Sequence, residues 1–352
     1  WYTIPVDSSV CDVHVIMDNA DQAAVADGVD LASYPRIAYF HSGNGCGGAG
    51  VASSSGDPTW ALMNGTIDPD VVGHEFGHTL GLGHAHGLEC GDEILGVGCR
   101  NGEYADSLDI MGQRTAHFNA FHKERLGWLD SAGIRTVESD GSYALEPYAA
   151  PQGADPKTLK ILRSTDAVNG RRTWYYLEYR QAIGFDSGIQ SDPAYDSDNI
   201  LNGVVIRIGT EADRDSSNML DMTPGSDLIF DWFDSALAVG QSYSDPAAGI
   251  TVTTDWTDAG GAMVSVSLDA QAPTCTPADP ALEAAPSEGD WVAPGTAVDF
   301  AVTVTNRDSA ACDAAFYDLD VVVDSGWSAV FSPAALTVEP GASASATLTV
   351  AS

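Results

Sequence analysis

Residues 74–84 read His74-Glu75-Phe76-Gly77-His78-Thr79-Leu80-Gly81-Leu82-Gly83-His84, a pattern of the form HExxHxxGxxH. On a helix, His74 and His78 are four residues apart and share one face, so their imidazoles can bind one metal ion. Gly81 can adopt the positive φ that turns the chain back and brings in His84 as a third ligand. Three nitrogen ligands leave a fourth position open for water, which is typical of a catalytic zinc site.

Glu75 is the candidate general base. It lies one position along the helix from His74, so its carboxylate can reach the open side of the metal without binding it. The segment Asp68-Pro69-Asp70 predicts the start of this helix, because Asp68 can cap free N–H groups and proline suits the first turn. The alternative is a buried amphipathic helix with histidines on its polar edge.

The balance of charge excludes two classes of partner. The 352 residues include 50 acidic and 15 basic side chains, which gives a net charge of −35. Such a chain repels the phosphates of nucleic acids and of anionic membranes. No segment approaches the roughly 20 apolar residues of a membrane span. Carboxylates can also collect Ca²⁺, but the sequence assigns no calcium site.

The six cysteines indicate an oxidising compartment. Six cysteines allow 15 pairings, and none here forms a CxxC pair. Proximity along the chain favours three disulfides, Cys11–Cys46, Cys90–Cys99 and Cys275–Cys312; free thiols are the alternative. We therefore expect a secreted protein. The chain begins at Trp1 in a strand-like segment, so we also expect an upstream segment that was removed or truncated.

The patterning along the chain predicts a multidomain α+β protein. Residues 1–133 mix helical and strand-like segments around the histidine motif, and form the first expected domain. Residues 134–271 form an expected β-sandwich domain, with strands predicted over 158–162, 173–180, 203–209, 227–233, 250–256 and 262–268. A proline- and alanine-rich linker over 272–294 opens a smaller β-sandwich of immunoglobulin-like size, residues 272–352.

The sequence makes predictions for three further segments. Residues 85–108 predict a long loop closed by Cys90 and Cys99. We expect the acidic residues of this region to be solvated and not to bind calcium; they are Asp92, Glu93, Glu103, Asp106 and Asp109. Residues 117–130 predict a helix that ends near Gly127. In the β region, Glu178 and Arg180 fall on one side of a strand and predict an ion pair.

The histidine motif and the segment Asp109-Ile110-Met111-Gly112 resemble the metzincin zinc peptidases. Residues 119–129 and 175–180 are similar to the gametolysin-like (autolysin) members, and the tail is similar to immunoglobulin-like modules of secreted hydrolases. The resemblance implies a metzincin-like catalytic domain, with Met111 as an apolar floor beneath the zinc ligands. Some metzincins carry a tyrosine two residues after this methionine, where it supports the transition state. Here Gln113 occupies that position, so a tyrosine role cannot be transferred to it.

These features predict a secreted zinc-dependent endopeptidase that acts on protein or peptide substrates. His74, His78 and His84 are the expected Zn²⁺ ligands, and Glu75 is the expected base. Two alternatives remain, a zinc-bearing adhesion or binding protein of low turnover and a cell-wall amidase. The C-terminal module would then attach the enzyme to its substrate or to a surface, or act as a spacer.

Overall fold

A computed structural model describes residues 1–43, 45–96, 98–113, 116–225, 231–268, 277–286, 292–293, 295–309, 312 and 314–352. Within these residues the chain is mostly β, with several sheets and few helices. It divides into two compact units, Trp1–Asp269 and Ala270–Ser352. Among the helices of the described part, none combines the length and the apolar character that crossing a bilayer requires.

The α-helices of the described residues are α1 (Val13–Ala26), α2 (Pro69–Thr79), α3 (Ala120–Arg125), α4 (Gly188–Ser191) and α5 (Ser197–Leu201). The strands of the first unit are β1 (Arg36–His41), β2 (Gly50–Ala52), β3 (Thr59–Asn64), β4 (Ala85–Glu89), β5 (Arg100–Gly102), β6 (Ile134–Val137), β7 (Gly141–Leu145), β8 (Thr158–Thr165), β9 (Arg172–Glu178), β10 (Gly203–Thr210), β11 (Ser217–Leu220), β12 (Leu237–Ala238), β13 (Ser242–Asp245), β14 (Ile250–Asp258) and β15 (Gly261–Leu268). Those of the second unit are β16 (Ala281–Ala285), β17 (Val298–Thr305), β18 (Ala315–Asp318), β19 (Ser328–Ser332), β20 (Ala335–Val338) and β21 (Ser343–Ala351).

A three-stranded sheet of order β1-β3-β2 precedes the histidine motif. Strand β1 runs parallel to β3, and β2 is the antiparallel outer strand. Helix α1 packs on this sheet through Ile16 and Met17, which are buried with Leu62 of β3. The expected Cys11–Cys46 disulfide is present and joins the start of α1 to the loop before β2.

The largest core of the first unit lies between two sheets. One has eight strands, in the order β5-β4-β11-β10-β9-β8-β6 with β12 paired to β10, and the other has the order β13-β14-β15-β7. Apolar side chains of the first sheet, such as Leu177 and Ile206, are fully buried in one cluster with Val252 and Val264 of the second. Five of the six predicted strands of this region are confirmed as β8, β9, β10, β14 and β15.

The sixth predicted strand, over residues 227–233, is not confirmed. Residues 226–230 lie outside the described part of the chain, and Asp231–Phe233 form a 3₁₀ turn. The predicted helix over 117–130 is shorter than expected, because α3 spans only Ala120–Arg125. The side chain of Asn119 accepts a hydrogen bond from the backbone N–H of His122 and fixes its start.

The eight-stranded sheet takes in residues from before and after the expected domain boundary at 133/134. Strand β4 pairs in parallel with β11, so that His86 lies opposite Asn218, and β5 pairs with β4. The prediction that residues 85–108 are a loop is therefore wrong for β4 and β5. Local patterns do not indicate β4, because its parallel partner β11 lies more than 100 residues further along the chain, and β5 pairs with β4. The boundary at 133/134 falls inside the first compact unit.

The second unit contains a sheet of order β16-β17-β21-β19 and a two-stranded sheet of β18 and β20. Its core is formed by Val304, Leu336, Val338 and Ala346. Residues 272–276, 287–291 and 294 of the expected linker lie outside the described part of the chain, and so does Cys275 of the third expected disulfide. The linker expectation is wrong for Ala281–Ala285, which form β16 and pair with β17. Cys312 is disulfide-bonded.

Candidate metal centre

Helix α2 presents two histidines on one face, as the spacing predicts. It begins after Asp68, although the carboxylate of Asp68 accepts from the Thr66 hydroxyl and makes no capping bond to the helix. The rings of His74 and His78 lie 4.8 Å apart between centroids. The chain then turns at Gly81, whose φ of +89° lies in the region that favours glycine. This turn carries His84 back toward the helix.

The three imidazoles converge on one point. His74, His78 and His84 each offer a nitrogen, and these ligand atoms all lie within 4.8 Å of one another. The Nε2 atoms of His78 and His84 are 3.1 Å apart. The group can therefore hold a metal ion, as the sequence pattern predicts.

Nδ1 of each of the three histidines lies within hydrogen-bond distance of an oxygen atom. Nδ1 of His74 bonds the carbonyl oxygen of Ile110 at 2.9 Å, and Nδ1 of His78 bonds that of Leu82 at 3.0 Å. Nδ1 of His84 contacts Oε1 of Glu103 at 2.6 Å. Carbonyl and carboxylate oxygens only accept hydrogen bonds, so each Nδ1 is the donor and carries the proton.

In a neutral ring whose Nδ1 carries the proton, the lone pair is on Nε2, the nitrogen that is left to bind a metal. Two such lone pairs at short distance repel one another unless a cation lies between them. Burial lowers the pKa of His74, and it lowers the pKa of His78 to about 4. Both rings are neutral at pH 7, which is the state that binds metal. The donor set thus fits a zinc ion with nitrogen ligands.

Met111 packs against helix α2. It is fully buried with Leu82 and Ala85, and its sulfur fills the space that a side chain at Gly77 would need. The carboxylate of Asp109 shapes the turn over residues 109–112 by accepting from the backbone N–H of Met111 at 2.6 Å. A methionine at this place keeps the metal side of the helix packed and apolar.

Glu75 lies beside the histidines with an unshared carboxylate. Its side chain is only 7 % exposed, and no hydrogen-bond partner for it exists among the described residues. Gly50 of β2 lies directly against it, since a Cβ on Gly50 would come within 2.6 Å of Oε1. Burial raises the pKa of Glu75 to about 7. Such a carboxyl can take up and release a proton near neutral pH.

His74 and Glu75 border a cleft of about 260 Å³. It is lined by Ala49, Gly50, Asp70, Val71, His74, Glu75, Tyr104, Ile110, Gly112 and Gln113. The ring of Tyr104 lies against His84, with 4.2 Å between centroids. Burial raises the pKa of Tyr104, and the negative charges of Glu103, Glu75 and Asp215 raise it further.

The fold brings three residues to this centre that sequence patterns do not indicate: Glu103, Tyr104 and Asp215. Asp215, from the turn between β10 and β11, accepts a hydrogen bond of 2.9 Å from the backbone N–H of His84. No local motif marks any of the three. Glu103 was visible only as one acidic residue of a predicted loop.

The expectation that the acidic residues of this region are solvated is wrong for two of them. Asp106 and Asp109 are fully buried. Asp106 bonds Nε of Arg207 at 2.6 Å, and Asp109 bonds Nδ1 of His122 at 2.9 Å. The predicted ion pair of Glu178 and Arg180 is confirmed at 2.7 Å and is also fully buried. These charges are paired structural groups, because an unpaired buried charge is costly.

The comparisons with known proteins give one match. The family described as Gametolysin peptidase M11 matches residues 3–194, just over half of the chain. This range contains the histidine motif, Glu103, Tyr104 and Met111. No curated protein and no solved structure matches the chain.

Proposed function

The chain belongs to the gametolysin M11 family of metallopeptidases, and from this membership we propose that it is a secreted zinc-dependent endopeptidase. Its substrates would be proteins or peptides, which it would cleave at internal bonds. The family implies a metal, and the described side chains include a histidine group able to hold one.

The convergence of three imidazoles beside a free carboxylate carries this proposal. His74, His78 and His84 would hold Zn²⁺ through Nε2, since each Nδ1 is engaged with an oxygen. Structural zinc sites usually have four protein ligands, and this group offers three. The remaining position would face the cleft, in which a substrate can lie.

The proposed mechanism assigns proton transfer to Glu75. When bound, zinc polarises the scissile carbonyl and lowers the pKa of its water ligand. Glu75 takes a proton from the attacking water and then passes it to the departing amine. Its carboxylate is suited to this role because it has no other hydrogen-bond partner among the described residues and lies in the same cleft as His74.

Strand β2 would guide an extended substrate along the cleft. It is the outer strand of its sheet, and its first residue, Gly50, touches Glu75. An outer strand can pair with an added peptide strand through backbone hydrogen bonds. This arrangement favours a peptide over a compact small molecule.

We assign the fold around this centre to the metzincin type, with Met111 as the floor of the metal site. The buried position of Met111 below Gly77 supports this assignment. We also propose that the second unit is an immunoglobulin-like module that attaches the enzyme to substrate or to a surface. Its separate core and its two sheets support a module of its own.

Secretion is supported by the two disulfides that join described cysteines, Cys11–Cys46 and Cys90–Cys99. Disulfides persist in oxidising compartments and are rare in the cytosol. The large excess of acidic residues keeps such a protein soluble outside the cell.

The test is cleavage of a denatured protein by the purified chain, with and without a chelator, followed by mass spectrometry of the products. We expect new internal peptide ends that disappear with the chelator and return when zinc is added. Release of cell-wall amide products without peptide cleavage would support an amidase instead. Stoichiometric zinc with neither activity would indicate a binding protein.

A further inference from the structure

Tyr104 has an unusual backbone conformation at the rim of the metal centre. The backbone N–H of Ala105 bonds the carbonyl oxygen of Gly102 at 3.1 Å, which closes a turn with Glu103 and Tyr104 at its centre. Tyr104 has a φ of +60°, in the left-handed region. A bulky residue in this region is strained, and glycine or asparagine would fit the turn better.

The strained turn places the tyrosine ring over two of the three histidines. Its centroid lies 4.2 Å from that of His84 and 5.7 Å from that of His74. Tyr104 also lines the cleft with Glu75, and it is 39 % exposed. The ring therefore borders the space in which the scissile bond would lie.

The hydroxyl of Tyr104 has no hydrogen-bond partner among the described residues. The other tyrosines around the first unit's core behave differently: Tyr148, for example, donates to the carbonyl oxygen of Phe118 at 2.7 Å. A phenol keeps its proton at neutral pH, so this group is a free donor. It is the one phenol among the cleft-lining residues that the structure describes.

We propose that Tyr104 is a catalytic residue whose hydroxyl donates a hydrogen bond to the scissile carbonyl oxygen as negative charge develops on it. The inference rests on the proposed endopeptidase function. Tyr104 keeps its own proton throughout, while Glu75 carries out the proton transfer. A preorganised donor of this kind stabilises the transition state more than the ground state. The backbone strain is then the cost of holding the donor in place.

The test compares Tyr104→Phe with the wild type, because phenylalanine keeps the ring against His84 and removes only the hydroxyl. We expect kcat to fall about 10²-fold with little change in KM and with unchanged zinc content. Tyr34→Phe is the matched control, since Tyr34 is exposed and outside the cleft. It should leave kcat unchanged.

A second readout does not depend on turnover. A phosphinic peptide carries a tetrahedral PO₂ group in place of the scissile amide, and Tyr104→Phe should weaken its binding about as much as it lowers kcat/KM. Binding of the uncleaved peptide, measured in a Glu75→Gln background, should not change when Tyr104→Phe is added.

Three outcomes would overturn the proposal. They are an unchanged kcat, a loss of zinc that parallels the loss of activity, and equal weakening of the phosphinic and the uncleaved peptide. Absence of peptide cleavage by the wild type would instead refute the endopeptidase function, and the proposal for Tyr104 with it.

Discussion

Nδ1 of His74 donates a hydrogen bond of 2.9 Å to the carbonyl oxygen of Ile110, and this bond joins helix α2 to the turn that carries Met111. The turn is held in place by Asp109, whose carboxylate accepts from the backbone N–H of Met111 and from Nδ1 of His122. Asp109 and His122 are both fully buried. The direction in which His74 presents Nε2 is therefore set by a buried hydrogen-bonded pair, Asp109 and His122, as well as by the helix.

The role of Glu75 as general base predicts the effect of Glu75→Gln. The amide is close in shape but cannot accept and return the proton, so we expect kcat to fall by about 10²–10⁴-fold. Zinc content, measured by atomic absorption, should stay at the wild-type value, because the histidines are unchanged. Activity close to that of the wild type would contradict the role.

The close packing of Gly50 on Glu75 predicts a loss of activity from a substitution that replaces no catalytic residue. In Gly50→Ala the new Cβ would come within 2.6 Å of Cγ and Oε1 of Glu75 and would displace the carboxylate. A displacement of about 1 Å can cost roughly 10²-fold in rate. We expect a fall in kcat with an unchanged melting temperature and zinc content.

Gly47→Ala is the control for this change, because a Cβ at Gly47 would meet no atom within 4 Å. Gly47 lies in the loop that precedes β2, and Gly47→Ala should behave as the wild type. Equal activity of the two alanine variants would show that the position of Glu75 does not depend on Gly50.

The contact between Glu103 and His84 predicts that removing the Glu103 carboxylate weakens metal binding. It is the side chain that accepts from Nδ1 of His84, whereas His74 and His78 use backbone carbonyls. Loss of such a partner typically weakens metal binding 10–100-fold. Glu103 is 61 % exposed, so we expect the lower end, about 10-fold, for Glu103→Ala.

The measurement for Glu103→Ala is competition for zinc with a chelator of known affinity. Glu138→Ala is the control, since Glu138 is exposed and its change removes the same charge. An equal zinc affinity for Glu103→Ala and Glu138→Ala would refute a part for Glu103 in orienting His84.

The buried ion pairs of Glu178 predict that the free energy of unfolding depends on pH. Burial would raise its pKa, but the charges of Arg180 and Arg207 and a hydrogen bond from Ala120 outweigh this, and the pKa is lowered. The stabilisation is therefore complete above the ordinary glutamate pKa of about 4.3 and is lost as the pH falls below it. At pH 7, Glu178→Gln should cost about 3–5 kcal/mol, because two buried guanidinium groups each lose one of their charged partners.

Urea unfolding at pH 7, 5, 4 and 3, followed by tryptophan fluorescence, measures this effect. The difference between the wild type and Glu178→Gln should be constant from pH 7 to 5 and should shrink toward pH 3. A difference that grows on acidification would contradict the lowered pKa of Glu178.

Local patterns in the sequence were enough to predict the histidine group. The four-residue spacing of His74 and His78 follows from the helical repeat, and the turn at Gly81 needs only a residue that tolerates positive φ. Short sequence separation likewise favoured the pairing of Cys90 with Cys99, and alternation of apolar residues located most strands of the β region. Each of these features depends on neighbours a few residues away.

The surroundings of the histidines depend on contacts between distant segments of the chain. Glu103 and Tyr104 reach His84 because β5 pairs with β4, and β4 is held in parallel by β11 from more than 100 residues further along the chain. Asp215 lies in the turn before β11. The pairing of β11 with β4 brings it to His84, whose backbone N–H donates to its carboxylate. Ligand spacing is local, so the residue pattern is enough to identify the atoms that can bind a metal. The fold decided which donors and acceptors orient them, because sheet pairing joins distant segments that carry no shared local pattern.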